Sequence, residues 1–253
     1  MAVNNSLAID IENMGFRYPG NSELFISGLN LQVQKGERFG LFGPNAAGKT
    51  TLISLMTGLL SVDEGHIRLF GREVGRRNNA VSKLFGFVPQ DFSFYQELTP
   101  VENLEFFGAW SGLDKQTIRK RTDELLHILG LEEVRNKQVQ KFSGGMKRRV
   151  NLAIGVFHKP QILFLDEPTV GVDVQTRYAI IKYLLELNKH GTTLIYTSHQ
   201  LSEAEGLCEQ VALIDDGKII AHDDLDKLLK DYHQDSLEHL FLNLTGKGYR
   251  NDV

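Results

Sequence analysis

Apolar residues recur at every second position at Leu7, Ile9 and Ile11, and again at Leu29, Leu31 and Val33. That is the period of a strand with one buried face. Arg38-Phe39-Gly40-Leu41-Phe42 is a short apolar run, and a glycine-rich segment follows it. A helix is predicted from Gly48 to about Thr57, with Gly58 as its stop. Phe85-Gly86-Phe87-Val88 reads as a further strand. Ile162-Leu163-Phe164-Leu165 is apolar at every position, the pattern of a strand buried on both faces. Thr176, Ile180, Leu184 and Leu187 are spaced as on one helix face. Thr193-Leu194-Ile195-Tyr196 and Val211-Ala212-Leu213-Ile214 are strands, and Asp215-Asp216-Gly217-Lys218 signals a hairpin into Ile219-Ile220.

This alternation of strands and helices predicts an α/β fold with helices packed on a sheet. One block breaks it. Thr99-Pro100-Val101-Glu102 has an N-cap, a proline at the first position and an acidic third position. From there to about residue 155 the chain reads as mostly helical, so a helical subdomain at about 91–157 is expected inside the α/β core. At the end, Leu237, Leu240, Phe241 and Leu244 form an apolar stripe behind Asp235, the expected N-cap, with Glu238 three residues on. The stripe is read as packing on its own domain. The expected division is therefore 1–235 for the main domain and 236–253 for a C-terminal helix and tail.

Composition narrows the class. The 253 residues are enough for one large domain. A net charge of −4 lacks the basic excess of a nucleic-acid binder, so no nucleic-acid partner is expected. A single cysteine, Cys208, excludes a disulfide framework and fits the cytosol. No apolar run reaches the roughly 18–20 residues that cross a bilayer, and Met1–Ser6 has neither the basic nor the apolar region of a signal peptide.

The chemistry is concentrated in two segments. Gly43-Pro44-Asn45-Ala46-Ala47-Gly48-Lys49-Thr50 matches G-x-x-x-x-G-K-[ST] between a strand and a helix start. Such a loop turns backbone N–H groups toward phosphate oxygens, and the helix behind it adds its positive end. Lys49 supplies charge to the β- and γ-phosphates, and the Thr50 hydroxyl can ligate magnesium. The second segment is Leu163-Phe164-Leu165-Asp166-Glu167. Two carboxylates ending a buried strand are costly unless they face a cation. Asp166 suits a magnesium ion, and Glu167 suits the proton of an attacking water.

With these segments in place, Phe142-Ser143-Gly144-Gly145-Met146-Lys147-Arg148-Arg149 resembles the LSGGQ signature of the ABC ATPase family. The resemblance covers essentially the whole chain. It implies a P-loop NTPase of ABC type, with a mixed sheet core, N-terminal antiparallel strands and the inserted helical subdomain. It implies an ATP-binding and ATP-hydrolysing transporter subunit using ATP and Mg2+. Two copies, most simply a homodimer, would sandwich ATP head to tail, each signature completing the other copy's site. Carried over by position, Tyr18 stacks on adenine and Thr51 reaches the α-phosphate. Gln90 senses magnesium and the membrane partner, Asp173 in Gly171-Val172-Asp173 crosses the dimer interface, and His199 contacts the γ-phosphate. ATP binding thus falls to Tyr18, Gly43, Pro44, Asn45, Ala46, Ala47, Gly48, Lys49, Thr50 and Thr51, with Ser143, Gly144, Gly145 and Asp173 acting in trans. Catalysis falls to Glu167, His199 and Gln90, and metal binding to Thr50, Gln90 and Asp166. The resemblance also implies an integral membrane permease as partner, and so a cytoplasmic chain peripheral on the inner face of the membrane.

Two positions depart from the family pattern. Ala46 stands where glycine is frequent, so the loop is expected to take a conformation that alanine tolerates. Met146 replaces the signature glutamine, and Met146-Lys147-Arg148-Arg149 is similar to subunits that export drugs, lipids or polysaccharides. That favours export. The alternative is a soluble ABC-type ATPase acting on the ribosome or DNA. It fits less well: the chain holds one ATPase unit, and Gly43 and Ser143 stand about 100 residues apart with no sustained heptads between them. Phe92, Phe94 and Tyr95 either fill the helical subdomain's core or mark the cleft that receives the permease.

Overall fold

The computed structural model describes residues 6–75 and 78–246. Residues 1–5 and 247–253 lie outside the described residues, and with them the expectations placed on the first residues and on the C-terminal tail. β1 (Leu7–Phe16) and β2 (Ile26–Gln34) pair antiparallel, and β3 (Arg38–Phe42) leads through the glycine loop into α1 (Lys49–Met56). β4 (Glu64–Leu69) and β5 (Arg72–Glu73) complete a four-stranded antiparallel sheet in the order β2-β1-β4-β5. After the short α2 (Asn79–Ser82) and β6 (Phe85–Val88) come three helices in succession, α3 (Pro100–Trp110), α4 (Lys115–Ile128) and α5 (Gly144–Val156). The chain then alternates through β7 (Ile162–Asp166), α6 (Val174–Lys189), β8 (Thr193–Ser198) and the short α7 (Ala204–Leu207). It closes with β9 (Gln210–Asp215), β10 (Lys218–Asp224), α8 (Leu225–Asp231) and α9 (Leu237–Thr245).

The second sheet runs β10-β9-β3-β8-β7-β6. Its strands are parallel from β9 to β6, and only β10 runs against its neighbour. The sheet separates two apolar cores, and its side chains go alternately to each, as a two-residue period requires. Leu163 and Leu165 join the core beneath α3–α5, whereas Ile162 and Phe164 join the core shared with α1 and the N-terminal sheet. Leu194 and Tyr196 against Ile195 repeat the alternation on β8, and Val211 and Leu213 against Ala212 and Ile214 repeat it on β9. The unbroken apolar run at 162–165 thus serves two cores at once.

Local signals place the helix ends. Thr99 and Glu102 form a complete capping box with Pro100 at the first position of α3. α9 is capped one residue later than expected. Ser236, not Asp235, accepts the His239 N–H, because its side chain stands three residues before that donor. Leu237, Leu240 and Phe241 are buried in the same core as α3–α5, so the C-terminal stripe packs on its own chain. The aromatic segment divides. Phe94 is buried, and Phe92 stacks on it at 5.4 Å. Tyr95 stays 48% exposed against Phe106 on α3.

Parallel pairing puts the chemistry on one edge. Phe42 pairs with Ser198 at the last residues of β3 and β8, and Asp166, the last of β7, pairs with Thr197 beside it. The loops after β3, β7 and β8 therefore leave the sheet side by side at its carboxyl edge, the usual ligand-binding edge of an open α/β sheet.

Candidate functional site

The glycine loop is a strained turn. Gly48, the N-cap of α1, has φ 111°, a region open in practice to glycine alone. Ala46 has φ 64°. Ala46 therefore adopts the positive-φ conformation itself, although alanine takes it only at a cost. Left-handed backbone crowds an alanine Cβ against the following carbonyl, at a cost of about 1–2 kcal/mol. The loop is held in place by bonds from the Ala47 N–H to the Pro44 carbonyl and from the Gly217 N–H to the Ala47 carbonyl. No side chain caps α1, which leaves its N-terminus to an anion.

Lys49 is buried beneath the loop. Its Nζ donates to the carbonyls of Gly43 at 2.8 Å and Pro44 at 3.0 Å, and lies 3.8 Å from Glu167 Oε1. Burial pushes its pKa down, and the negative charges of Glu167 and Asp166 oppose that shift.

The end of β7 supplies those charges. Asp166 and Glu167 are both buried. Asp166 Oδ1 accepts from the Thr197 hydroxyl at 2.7 Å. Glu167 also takes a left-handed backbone, φ 50°, and its N–H reaches both the carbonyl and the hydroxyl of Thr197 at 3.2 Å. Its Oε2 faces His199 Nδ1 at 2.8 Å. Lys49, Glu167 and His199 thus form one line of alternating donor, acceptor and donor. Glu167 needs both partners, since an unpaired carboxylate so deeply buried is costly.

Tyr18, Phe25, the loop from Asn45 to Thr51, Gln90 and Glu167 line a cleft of about 360 Å³. A larger hollow of about 520 Å³, between Arg121, Tyr183 and His190, contains none of the expected site residues. Tyr18 lies at the mouth of the first cleft, packed on Phe16 and Phe25, and its hydroxyl is bonded to that of Thr51. Among the described residues no three His, Cys, Asp or Glu gather as a metal cage.

Ser143, Gly144, Gly145 and Asp173 do not line this cleft; they form a group of their own. The Ser143 hydroxyl caps α5 by accepting the Met146 N–H at 3.3 Å. Asp173 caps α6, accepting the N–H and the hydroxyl of Thr176, and these bonds hold its carboxyl below the usual range. Gly145 packs against that cap: a Cβ there would stand 3.1 Å from the Thr176 hydroxyl.

Three features escaped the sequence reading. Phe25 shares the cleft with Tyr18, and its only signal was an aromatic just before a strand. Thr197 binds both acids from the next strand. Behind them, Thr169, Tyr196 and Glu203 form a closed set of hydrogen bonds. The Tyr196 hydroxyl meets Thr169 at 2.9 Å and donates to Glu203 at 2.8 Å, and Arg177 approaches Glu203 to 3.5 Å.

A family model described as ABC transporter matches residues 26–170, from β2 through the phosphate loop and the signature to the turn after Glu167. The chain belongs to the ABC transporter family. As an ABC ATP-binding chain it is an ATPase. It is 41% identical to the linearmycin resistance ATP-binding protein LnrL of Bacillus subtilis over 213 residues, covering 84% of this chain and 68% of the relative. It is 38% identical to the daunorubicin resistance ATP-binding protein DrrA3 of Streptomyces coeruleorubidus, covering 87% and 69%. The Nod factor export ATP-binding protein I of Ralstonia nicotianae is 37% identical, over 84% of this chain and 66% of that protein. Among solved structures, the ATP-binding subunit of an ABC transporter superposes with a TM-score of 0.86 at 25% identity, over 94% of this chain and 99% of that one. The ATP-binding cassette MJ0796, solved as a dimer in a post-hydrolysis state with ADP and Pi, gives 0.78 at 26%, over 86% and 98%. The predicted P-loop ABC fold is thereby shown.

Proposed function

We propose that this ATPase powers export across a membrane, with two copies closing on two ATP molecules beneath a permease. The observation that carries the reading is a split. Lys49 and Glu167 line the cleft, with His199 bonded to Glu167 behind them, while Ser143, Gly145 and Asp173 stand together outside it. Each half lacks what the other has, and a head-to-tail pair would join them.

In the loaded cleft, Lys49 would leave the Gly43 and Pro44 carbonyls for the β- and γ-phosphates. Tyr18 would lie on the adenine, and Thr51 would reach the α-phosphate. Thr50 and Asp166, with Gln90, would hold a magnesium ion, which would offset the negative charge of the phosphates. Glu167, released from Lys49, takes the proton of a water whose oxygen bonds to the γ-phosphorus. The bond from that phosphorus to the ADP oxygen breaks, giving ADP and phosphate. His199 holds Glu167 through Nδ1 and faces the γ-phosphate. Ser143, Gly144, Gly145 and Asp173 of the second copy close the far side.

The export direction is supported by the relative named for Nod factor export, by the two named for linearmycin and daunorubicin resistance, and by Met146-Lys147-Arg148-Arg149. Membership of a transporter family decides against the ribosome- or DNA-directed alternative. No helix among the described residues is long and apolar enough to cross a membrane. A permease is therefore the proposed anchor on the inner membrane face, and the exposed aromatics Tyr95, Phe106 and Trp110 are its proposed contact. The test is Glu167→Gln. It should keep ATP affinity, stop turnover and accumulate an ATP-bound dimer in light scattering. Turnover near wild type would assign the base elsewhere.

A further inference from the structure

Arg148 is an arginine with only 5% of its surface exposed, one turn into the signature helix α5. A charge so placed usually has a carboxylate beside it. Here no acidic oxygen among the described residues is within ion-pair distance of it. The guanidinium instead holds main-chain carbonyls from two other segments. Nη1 donates to Gln90 at 2.7 Å and more weakly to Pro89 at 3.4 Å, and Nη2 donates to Val170 at 3.4 Å. It also lies over the Phe92 ring, 4.9 Å from the centroid. Asn151, one turn further along α5, donates to the Pro89 carbonyl at 3.0 Å. Asp91 and Glu167 add attraction from beyond contact distance, against the burial that disfavours the charge.

The segments so joined are the ones a coupled site must keep in step. Gln90 lines the ATP cleft. Val170 lies between Glu167 and Asp173. α5 begins at the signature, with Ser143 as its cap. We infer that Arg148 is a positioning residue that locks the signature helix to Gln90 and to the loop after Glu167, so that a change at the magnesium site moves the signature presented to the other copy. It touches neither nucleotide nor water, and it acts through the carbonyls it holds. A carbonyl clamp needs a planar group with several donors, which lysine cannot copy and methionine lacks entirely.

The inference rests on the proposed role of Gln90, so both are tested together on the full chain. Arg148→Met, Arg148→Lys, Gln90→Ala and the Arg148→Met/Gln90→Ala double variant are compared for kcat, KM for ATP, half-saturating Mg2+ and melting temperature. Arg148→Met is expected to lower kcat by about tenfold or more, the scale of a displaced catalytic group. KM for ATP should stay within about twofold, because the phosphate loop is untouched. The Mg2+ requirement should rise as in Gln90→Ala. Arg148→Lys should recover part of kcat by holding the Gln90 carbonyl alone. The double variant should be no worse than the poorer single one, since both break one linkage. An unchanged kcat in Arg148→Met beside an impaired Gln90→Ala would overturn the inference and leave the site reading standing. Multiplicative losses in the double variant, in step with a lowered melting temperature, would reduce Arg148 to a stabilising residue. No effect in Gln90→Ala would remove the site reading, and the inference with it. Should Arg148→Met fail to fold, Arg148→Lys decides: a wild-type kcat and Mg2+ requirement overturn the clamp.

Discussion

Two helices of this chain start from glycine-bearing segments, and their starts are built on different logic. Before α1, Gly48 is required for its conformation, since its φ of 111° excludes a side chain. At the start of α5 the glycines have ordinary helical backbones, and Gly145 is required for space against Thr176. The start of α1 has no side-chain cap, with a buried lysine beneath it. The start of α5 is already capped by its own serine. Under the proposed function, one is a seat that holds an anion within the chain. The other is satisfied in the single copy, and under the proposed function it is the lid offered to another. The same residue type thus carries two different constraints.

Lys49→Ala should break the first seat outright. Loss of a charge-assisted contact with the phosphates predicts about a 100-fold weaker affinity in a fluorescent-nucleotide titration. Unchanged affinity would show that the loop holds phosphate without its lysine. Gly145→Val attacks the second seat only. Its branched side chain presses on Thr176, so turnover should fall by roughly tenfold or more while nucleotide affinity stays near wild type. A matching loss of affinity would mean that the two seats are not separate. Ser143→Ala removes the α5 cap and should cost about 1 kcal/mol in denaturant unfolding. No loss of stability would mean that water already serves the Met146 N–H. The smallest effect belongs to Ala46→Gly. It relieves left-handed strain and should raise stability by up to about 1 kcal/mol, the gain being trimmed by glycine's unfolded-state entropy. A clear loss would show that the alanine methyl makes a contact worth more than the strain.

Legibility in the sequence followed the range over which each constraint acts. The phosphate loop, the β7 carboxylates and the signature each need their residues within a few positions of one another, so each could be read directly. The core strands were equally plain, because β7 and β8 serve two apolar cores through the unbroken apolar runs 162–165 and 194–196. β4 and β5 were not found. β4 turns only Ile67 and Leu69 inward, and its second residue, Gly65, has φ 71°. Thr197 became visible only through pairing, since it meets Asp166 across two strands, 31 residues apart. Arg148 was legible as part of a motif but not as a clamp, because the carbonyls it holds lie 58 and 22 residues away. The left-handed backbone at Ala46 had a sequence cue, the place where the family often has glycine, but the residue itself pointed the other way.

The hydrogen-bonded set of Thr169, Tyr196 and Glu203 carries an evolutionary consequence. The two hydroxyls and the carboxylate answer one another, with the part-exposed Arg177 at their flank. Replacing one strands its neighbours, so a lineage would pass through a damaged protein before a second change could repair it. These three positions should therefore be inherited as a block, either kept together or exchanged together for an apolar set. A collection of related sequences would then show their residues changing in concert, while the exposed faces of the same elements drift independently.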